Sequence, residues 1–314
     1  DVIVGAPLYD SGQTDEGKVF VFYGSASGLS ITPSWTAEGN QSGAQFGFAV
    51  ACVGDVNKDT YSEIAVGAPH ADSGQAVEGV AYIYRGSLNG LSAAPVWFGE
   101  GNQADAHFGT TITGANDVNG DGFADIIIGA PDFNSDADAP KEGRVFAYYG
   151  RSSWPQASPN WTSDTQQDGA GYGVSVASAG DVNGDGYSDL AIGIPDYENG
   201  QTDEGRVLVY YGGASGLGTT QNWTMEINQA GASFGDAVAG GDINGDGYSD
   251  LIVGATNYTN GQQNEGSVFV YYGGAQGLSL EPNMTAESDQ SFAGFGYCVA
   301  NGGDFNGDGR TDMF

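Results

Sequence analysis

The stretch D-V-N-G-D-G-Y-S-D, residues 181–189, decides the fold because the rest of the chain repeats around it. Asp181, Asn183 and Asp185 stand at alternate positions, a glycine follows at the sixth, and Asp189 closes the stretch. Alternate side chains of a tight loop face a common centre, and such a set of oxygen ligands suits a hard cation such as Ca²⁺. The glycine permits the left-handed backbone that folds the loop round the ion. We therefore predict a calcium loop, with the Tyr187 carbonyl as a further ligand.

Four more copies of this stretch lie in the chain, and the first residues of successive copies are 61 to 64 positions apart. They begin at Asp55, Asp117, Asp242 and Asp304. A single copy would be consistent with a solvated acidic turn, but a regular period indicates a repeat architecture.

The residue pattern within each repeat predicts four short strands, and no repeat shows helical periodicity. The first strand follows an aromatic-Gly pair: Phe46-Gly47, Phe108-Gly109, Tyr172-Gly173, Phe234-Gly235 or Phe295-Gly296. The acidic loop comes next, and then an apolar strand that ends in Gly-Ala-Pro or a variant. A Glu-Gly pair opens a third strand rich in Val, Phe and Tyr, and the fourth carries Trp or Met. Repeated four-stranded units are the signature of a β-propeller.

The predicted fold is therefore all-β, a single propeller domain over residues 1–314 with five four-stranded blades. The units run roughly over 45–98, 107–162, 171–224 and 233–285, and residues 294–314 are completed by 1–37. In this arrangement the C-terminal strand joins three N-terminal strands and closes the ring. Closure would leave no open sheet edge at the junction.

The aromatic-Gly and Gly-Ala-Pro pairs that flank D-x-N-x-D-G-x-x-D resemble FG-GAP repeats. These repeats build the propeller head of integrin α-subunits and occur in secreted bacterial proteins and some fungal lectins. The resemblance covers essentially the whole chain. Integrin heads have seven blades, so a piece of a longer array stays open beside the closed five-blade ring. The resemblance implies calcium in the loops between first and second strands, four to five ions in all, and an extracellular or cell-surface location.

Carried over by position, the resemblance implies these metal ligands: Asp55, Asn57, Asp59, Tyr61, Glu63; Asp117, Asn119, Asp121, Phe123, Asp125; Asp181, Asn183, Asp185, Tyr187, Asp189; Asp242, Asn244, Asp246, Tyr248, Asp250; Asp304, Asn306, Asp308, Arg310, Asp312. The loop at Asp55 departs from the others because Lys58 and Thr60 replace two glycines and Glu63 replaces the closing Asp. A β-branched residue in the left-handed region is costly.

The formal charge of −32, with only eight Lys and Arg, argues against nucleic acid as a partner. No uninterrupted run of 18 apolar residues predicts a membrane span. The chain begins at Asp1 without Met, as a processed or excised chain does, so the absence of a signal peptide says nothing against secretion.

Catalytic chemistry has little support, and we predict that the chain is not an enzyme. His70 and His107 are predicted to be solvated loop residues, and no nucleophile motif is present. Cys52 and Cys298 are interpreted as small buried residues, with a disulfide as the alternative. Trp154 lies outside the repeat pattern and is either core or a surface aromatic in a binding site.

Five Asn-x-Ser/Thr sequons are possible glycosylation sites: Asn40, Asn160, Asn222, Asn257 and Asn283. Three of them share one place in the repeat, where Asn and Thr also suit the end of a strand. Both interpretations stay open.

The leading functional hypothesis is an extracellular, calcium-dependent adhesion or recognition module for a protein or glycan bound on a loop face. The alternative is a structural subunit that assembles into a surface layer or filament. An enzyme on a propeller scaffold is the third and least supported hypothesis.

Overall fold

The computed structural model describes residues 1–135 and 141–314, and within these ranges every regular element is a β-strand. In chain order the strands are β1 (Val2–Ala6), β2 (Lys18–Phe22), β3 (Gly24–Ser25), β4 (Gly28–Leu29), β5 (Trp35–Glu38), β6 (Val50–Gly54), β7 (Glu63–Ala68), β8 (Val80–Tyr84), β9 (Trp97–Glu100), β10 (Thr111–Asn116), β11 (Asp125–Ala130), β12 (Arg144–Tyr148), β13 (Trp161–Asp164), β14 (Ser175–Gly180), β15 (Asp189–Ile194), β16 (Arg206–Tyr210), β17 (Trp223–Glu226), β18 (Phe234–Gly241), β19 (Asp250–Ala255), β20 (Ser267–Tyr271) and β21 (Met284–Glu287).

Four sheets have four strands each, ordered as in the chain: β6-β7-β8-β9, β10-β11-β12-β13, β14-β15-β16-β17 and β18-β19-β20-β21. Neighbouring strands are antiparallel wherever their register is defined, as in β15 and β16, where Leu190 faces Tyr210 and Ile194 faces Arg206. This confirms the predicted four-strand repeat. Four of the five acidic stretches connect the first strand of a four-stranded sheet to the second, as the sequence predicted.

The second strand of each four-stranded sheet is buried along its whole length, as β11 and β15 illustrate. Its sequence is a continuous apolar run, because both faces of the strand are covered and neither needs polar residues. The third strands β12, β16 and β20 are almost equally buried. The alternation of apolar and polar residues along a strand is therefore weakest in the most deeply buried strands.

The chain divides into two compact units, one of Asp1–Gly114 with Phe123–Thr162 and the other of Ala115–Gly122 with Ser163–Phe314. In the first unit, one apolar cluster surrounds Phe108 and another surrounds Phe46. In the second unit, the main cluster surrounds Phe234. The aromatic residue of an aromatic-Gly pair thus belongs to each of these three clusters.

Aromatic residues of successive repeats meet on the tyrosine that ends the third strand. In the first unit the ring of Tyr84 lies 4.9 Å from Trp35 of the preceding repeat and 6.4 Å from Phe46 of its own repeat. In the second unit Tyr271 lies 5.1 Å from Trp223 and 6.5 Å from Phe234. Through these edge-on contacts, aromatic residues at fixed repeat positions form core between neighbouring repeats.

A glycine joint connects the Gly-Ala-Pro segment of one repeat with the aromatic-Gly pair of the next. A Cβ added to Gly67 would lie 2.0 Å from the carbonyl oxygen of Gly109, closer than any side chain tolerates. The same approach joins three other pairs: Gly5 with Gly47 at 1.9 Å, Gly193 with Gly235 at 1.9 Å, and Gly254 with Gly296 at 2.0 Å. Both motifs therefore need glycine because two backbones touch there.

The first sheet has the order β1-β2-β5, so β1 lies at its edge. Near the C-terminus, the described pairing is a bridge between Asn301 and Met313, supported by two hydrogen bonds between Ala300 and Phe314. Residues 300–302 thus pair with the start of a second strand at 312–314. The predicted pairing of the C-terminal strand with β1 stays a prediction.

Candidate metal centres

The loop that begins at Asp181 is organised by the carboxylate of that residue. Asp181 Oδ1 accepts hydrogen bonds from the amides of Gly184 at 2.7 Å and Asp185 at 3.1 Å, and Oδ2 accepts one from Gly186 at 2.8 Å. Gly184 and Gly186 have φ values of 75° and 90°, which bring their amides round to the carboxylate. The two glycines of the motif thus serve the loop geometry directly.

Asn183 and Asp185 occupy the inside of the same loop. Asn183 Oδ1 accepts from the Asp185 amide at 2.9 Å, and Asp185 Oδ1 accepts from the Tyr187 amide at 3.0 Å. Asn183 Nδ2 donates to Asp185 Oδ2 at 3.0 Å. An oxygen that accepts one hydrogen bond retains a lone pair, so these side chains keep the capacity to bind a hard cation.

The closing residue Asp189 is fully buried and joins the loop to the third strand. Its two oxygens accept from the amides of Val182 and Gly212, both at 2.9 Å. Burial raises the pKa of Asp189 to about 7, and the nearby charges of Asp185 and Asp181 add to the rise. Three carboxyl groups therefore lie close together at one loop. A divalent cation bound among them would reduce the repulsion between their negative charges.

The loops at Asp242 and Asp304 repeat this scheme. Asp242 accepts from the amides of Gly245, Asp246 and Gly247, and Asp304 accepts from those of Gly307, Asp308 and Gly309. Asp250 is fully buried, as Asp189 is, and burial likewise raises its pKa. The loop at Asp304 is exposed over most of its length.

The stretch at Asp117 shows the same local hydrogen bonds. Asp117 accepts from Gly120, Asp121 and Gly122, and Asn119 Oδ1 accepts from the Asp121 amide. Further along the chain, Asp125 is fully buried and accepts from the Gly150 amide at 2.9 Å.

The loop at Asp55 contains a cation of its own. Arg85 donates from Nε and Nη2 to Asp59 Oδ2 at 2.8 and 2.6 Å. Burial acts to raise the pKa of Asp59, but the hydrogen bonds from Arg85 and the Tyr61 amide outweigh it, and the net shift is downward. Asn57 Nδ2 donates to Glu63 Oε1, so the amide faces the closing residue in this loop. The position of Arg85 is occupied by tyrosine in the other repeats, for example Tyr211.

Lys58 and Thr60 take the backbone conformation of the glycines they replace, with φ of 63° and 77°. The Lys58 ammonium lies 5.2 Å from the centre of the Phe123 ring. Elsewhere the corresponding aromatic packs on glycine: a Cβ on Gly184 would lie 2.4 Å from the Tyr248 ring. Lys58 therefore keeps its place through a cation–π contact.

Across residues 1–135 and 141–314, no three His, Cys, Asp or Glu side chains are arranged as a preformed metal site. The predicted ligand sets differ from such a cluster because each includes an Asn oxygen and a backbone carbonyl. In the loops at Asp181 and Asp242, the oxygen-only donors and the crowded carboxyl groups fit Ca²⁺. The ion itself and the number of ions stay predictions.

The model of the FG-GAP repeat family matches residues 46–84, 108–148, 158–210 and 234–271, together more than half of the chain. The chain belongs to the FG-GAP repeat family. Its four-stranded antiparallel sheets fit the blades of a β-propeller.

Integrin α chains are among the curated relatives of this FG-GAP chain. Integrin alpha-5 of Xenopus laevis is 30% identical over 247 residues, which are 76% of this chain and 22% of that protein. Integrin alpha-8 of Homo sapiens is 30% identical over 275 residues, 81% of this chain and 24% of that protein. Phosphatidylinositol-glycan-specific phospholipase D of Mus musculus is 38% identical over 146 residues, 44% of this chain and 17% of the enzyme. The chain spans less than a quarter of the length of each of these relatives.

The two histidines of the FG-GAP chain meet each other. Their rings are 4.7 Å apart, and His107 Nδ1 lies 2.6 Å from Asp132 Oδ2. Both histidines lie in loops, as predicted, but they are only partly exposed and contact each other, so the prediction of solvated residues is wrong. Each histidine alone looked like repeat variation, because the sequence does not show that residue 70 faces residue 107.

The two cysteines are free and exposed, which contradicts both the buried and the disulfide interpretations. Cys52 lies in β6, where the side chain faces solvent.

Trp154 is half-buried and packs against the apolar cluster around Phe108, so the core interpretation of this residue is confirmed.

The five sequon asparagines are exposed. Asn160, Asn222 and Asn283 each accept a hydrogen bond through Oδ1 from the amide that follows the third strand, at 2.8 to 2.9 Å. Their shared place in the repeat thus has a structural cause, and glycosylation stays a prediction.

Sequence reasoning missed the Glu of each Glu-Gly pair. Glu16, Glu78, Glu142, Glu204 and Glu265 are almost fully buried. Glu78 Oε1 accepts the amides of Ser73 and Gln75, and Oε2 accepts that of Asn102. The signal was the recurrence of Glu before Gly in every repeat.

Within the described ranges, no helix has the length and apolar character needed to cross a bilayer.

Proposed function

We propose that this FG-GAP chain is a calcium-dependent adhesion or recognition module that acts outside the cell or at its surface. The calcium part of this proposal rests on the acidic loops. The same hydrogen bonds fix their Asp and Asn oxygens at Asp181, Asp242 and Asp304. The similarity to integrin α chains over about four fifths of the chain supports the adhesion part.

Calcium is proposed at the loops that begin at Asp117, Asp181, Asp242 and Asp304, through the residues given above. The bound ion would supply the positive charge that the clustered carboxylates lack. The residues of the chain fix the loop backbone and aim their oxygens. The loop at Asp55 is the weakest of the five candidates, because Arg85 already occupies Asp59.

A five-blade ring with the unit boundaries predicted above is the proposed architecture. It requires residues 300–302 to pair with the start of β1, whereas they now pair with 312–314. A longer FG-GAP array is the competing arrangement. Val2→Cys with Asn301→Cys, in a chain that also carries Cys52→Ser and Cys298→Ser, separates the two. A crosslink within one chain supports the ring, and its absence under oxidising conditions counts against it.

The ligand is proposed to be a protein or a glycan bound by loops at one face. Binding should be measured against a panel of matrix proteins and glycans, once in Ca²⁺ and once in EDTA. Hits that disappear in EDTA support the proposal. Folded protein without hits in either condition would refute the recognition role.

Assembly into a layer or filament of identical copies is the second candidate, because the C-terminal part of the second unit exposes large aromatic residues. Phe292, Tyr297, Phe305 and Phe314 are each at least two-thirds exposed. Light scattering after size exclusion tests this candidate: a monodisperse monomer at all concentrations argues against it. We propose no catalytic role, since the enzyme relative shares only 17% of its length with this chain.

A further inference from the structure

Two imidazoles and one carboxylate meet in the first unit, where one repeat joins the next. The rings of His70 and His107 lie edge to face, with their centres 4.7 Å apart. His107 Nδ1 lies 2.6 Å from Asp132 Oδ2, and Lys141 Nζ contacts the other oxygen of Asp132 at 3.1 Å. Lys141 therefore balances part of the Asp132 charge, and little of that charge is left for a second positive ring.

Backbone hydrogen bonds hold both histidines in this position. The His70 amide, which follows a Gly-Ala-Pro segment, donates to the Ala44 carbonyl at 3.3 Å. The His107 amide donates to the Val77 carbonyl at 3.4 Å, and the His107 carbonyl accepts from Thr110 Oγ1 at 2.7 Å. Repulsion between the two rings must therefore be relieved by rotation of a side chain or by movement of these segments, which connect two repeats.

Other carboxylates on the same segments are directed away from the two rings. Asp72 Oδ1 accepts the Val77 amide, and Glu78 Oε2 accepts the Asn102 amide. Asp105, which lies just before His107 in the chain, is exposed to solvent. In the part of the chain that the structure describes, the charges that act on this contact are therefore those of the two rings, Asp132 and Lys141.

One positive ring suits this arrangement, and two do not. A protonated His107 ring forms an ion pair with Asp132. A proton on His70 as well would place two positive rings side by side, and neighbouring like charges disfavour the charged form. Burial lowers the pKa of His70 and the neighbouring His107 lowers it further, against the opposite effect of Asp132. His70 is therefore neutral at neutral pH.

We propose that His70, His107 and Asp132 form a pH-sensitive joint between two repeats, closed at neutral pH and opened by acid when both rings carry a proton. Histidine is the residue whose charge changes in this range. The pKa of His70 is lower in the folded chain than the ordinary value of about 6.5, so its stabilising effect is complete above about pH 6.5. That effect is lost as the pH falls from there through the folded-state pKa. The joint lies apart from the acidic loops and does not depend on whether they bind Ca²⁺.

The first experiment is an NMR titration of the intact chain, which has only two histidines. Ca²⁺ is kept in excess, because Glu63 and Asp189 have pKa values of about 7 and would otherwise titrate in the same range. Because the two rings interact, we expect them to take up protons in two separate steps, the second below pH 6.5.

Two variants should move the second step in opposite directions. In His107→Gln the remaining ring should titrate at a higher pH than the second step of the wild type, because its positive neighbour is gone. In Asp132→Asn the second step should move to a lower pH, because the carboxylate that favours the charged rings is gone. Two independent titrations near pH 6.5 in the wild type, left unchanged by His107→Gln, would overturn the proposal.

Hydrogen exchange measures the opening of the joint itself. After correction for intrinsic rates, protection of amides at 70–79 and 107–110 should fall about tenfold between about pH 7.5 and about pH 5.5, since one unit of pKa is a tenfold change in an equilibrium constant. His70→Asn, which introduces the residue found at the corresponding position 257, should lose most of this fall. Amides at 257–266, where no histidine is present, should keep their protection.

An equal fall in the wild type and in His70→Asn would overturn the proposal. Equal melting temperatures of the two proteins at about pH 8, where histidine is neutral, show that the variant is folded. If they differ, the titration of the wild-type chain alone decides, because it needs no variant to show whether the two rings titrate as a coupled pair.

Discussion

The loops at Asp55 and Asp181 have the same length and the same first carboxylate, yet they balance their charge differently. In the Asp55 loop, Arg85 donates twice to Asp59. In the Asp181 loop, the corresponding carboxylate of Asp185 meets only the neutral amide of Asn183 and backbone amides in the contacts described above. The side chain at the end of the third strand therefore decides whether a loop has a cation of its own.

The comparison also concerns the backbone. The Asp181 loop uses glycine at both left-handed positions, whereas the Asp55 loop uses Lys58 and Thr60 there. Left-handed conformations of non-glycine residues cost roughly 1–3 kcal/mol each. The Asp55 loop thus has two strained residues and a cation of its own, whereas the Asp181 loop has glycine at both positions and is proposed to bind Ca²⁺. Four measurements test this contrast.

Removal of calcium should have the largest effect. A site at 100 times its dissociation constant stabilises the folded state by about 2.7 kcal/mol, so four sites would contribute about 11 kcal/mol. For a chain of this size that corresponds to a fall in Tm of about 10–20 °C. Calorimetry with and without EDTA measures the fall, and hydrogen exchange should show less change at 55–63 than at 181–189. An EDTA-insensitive melt would contradict the calcium proposal for all loops.

Tyr211→Arg should convert the Asp181 loop into the Asp55 type. A guanidinium near Asp185 competes with the ion, and the expected loss of calcium affinity at this loop is about 10–100-fold, because a charge at short range near the surface is worth about 1–4 kcal/mol. Titration calorimetry should then count one ion fewer. Tyr211→Phe is the matched control, because it removes the hydroxyl without adding a charge. Equal loss in both variants would mean that the hydroxyl, and not the charge, matters.

Arg85→Tyr is the reverse change and should add a calcium ion to the Asp55 loop. The side chain of Arg85 is half-exposed, so its ion pair with Asp59 is worth at most about 1 kcal/mol without calcium. The expected result is a slightly lower Tm in EDTA, with one more ion bound in Ca²⁺. An unchanged ion count would show that Lys58 or the closing Glu63 also prevents binding.

Thr60→Gly should have the smallest effect. It removes a β-branched residue with φ of 77° and should raise the free energy of unfolding by about 0.5–1 kcal/mol after the entropy of the added glycine is subtracted. Gly186→Thr, at the same place in the Asp181 loop, should lower it. Urea unfolding of both variants measures the difference. A destabilising Thr60→Gly would mean that the Thr60 backbone is not strained.

The sequence predicted the four-strand repeat and the position of the acidic loops because local spacing determines both. It did not predict the role of Arg85, since residues 59 and 85 lie at opposite ends of the segment that holds β7 and β8 and meet only after these two strands have paired. The meeting of His70 with His107 was missed for the same reason. The glutamates of the Glu-Gly pairs were visible as a recurrence, but burying a charge inside a turn of amides cannot be inferred from residue type alone.

The glycine joint has a consequence for how such chains can change in length. Gly67 and Gly109 touch although they belong to different repeats, so the mechanical link lies across the repeat boundary. When a repeat is deleted or duplicated as a whole, each glycine of a Gly-Ala-Pro segment still meets the glycine of an aromatic-Gly pair in the next repeat. A deletion that ends inside a repeat loses one half and leaves a bare backbone face. Insertion of whole repeats is therefore the change in length that best preserves these contacts. The positions of the two glycines in each repeat show where the boundaries of the inserted segment should lie.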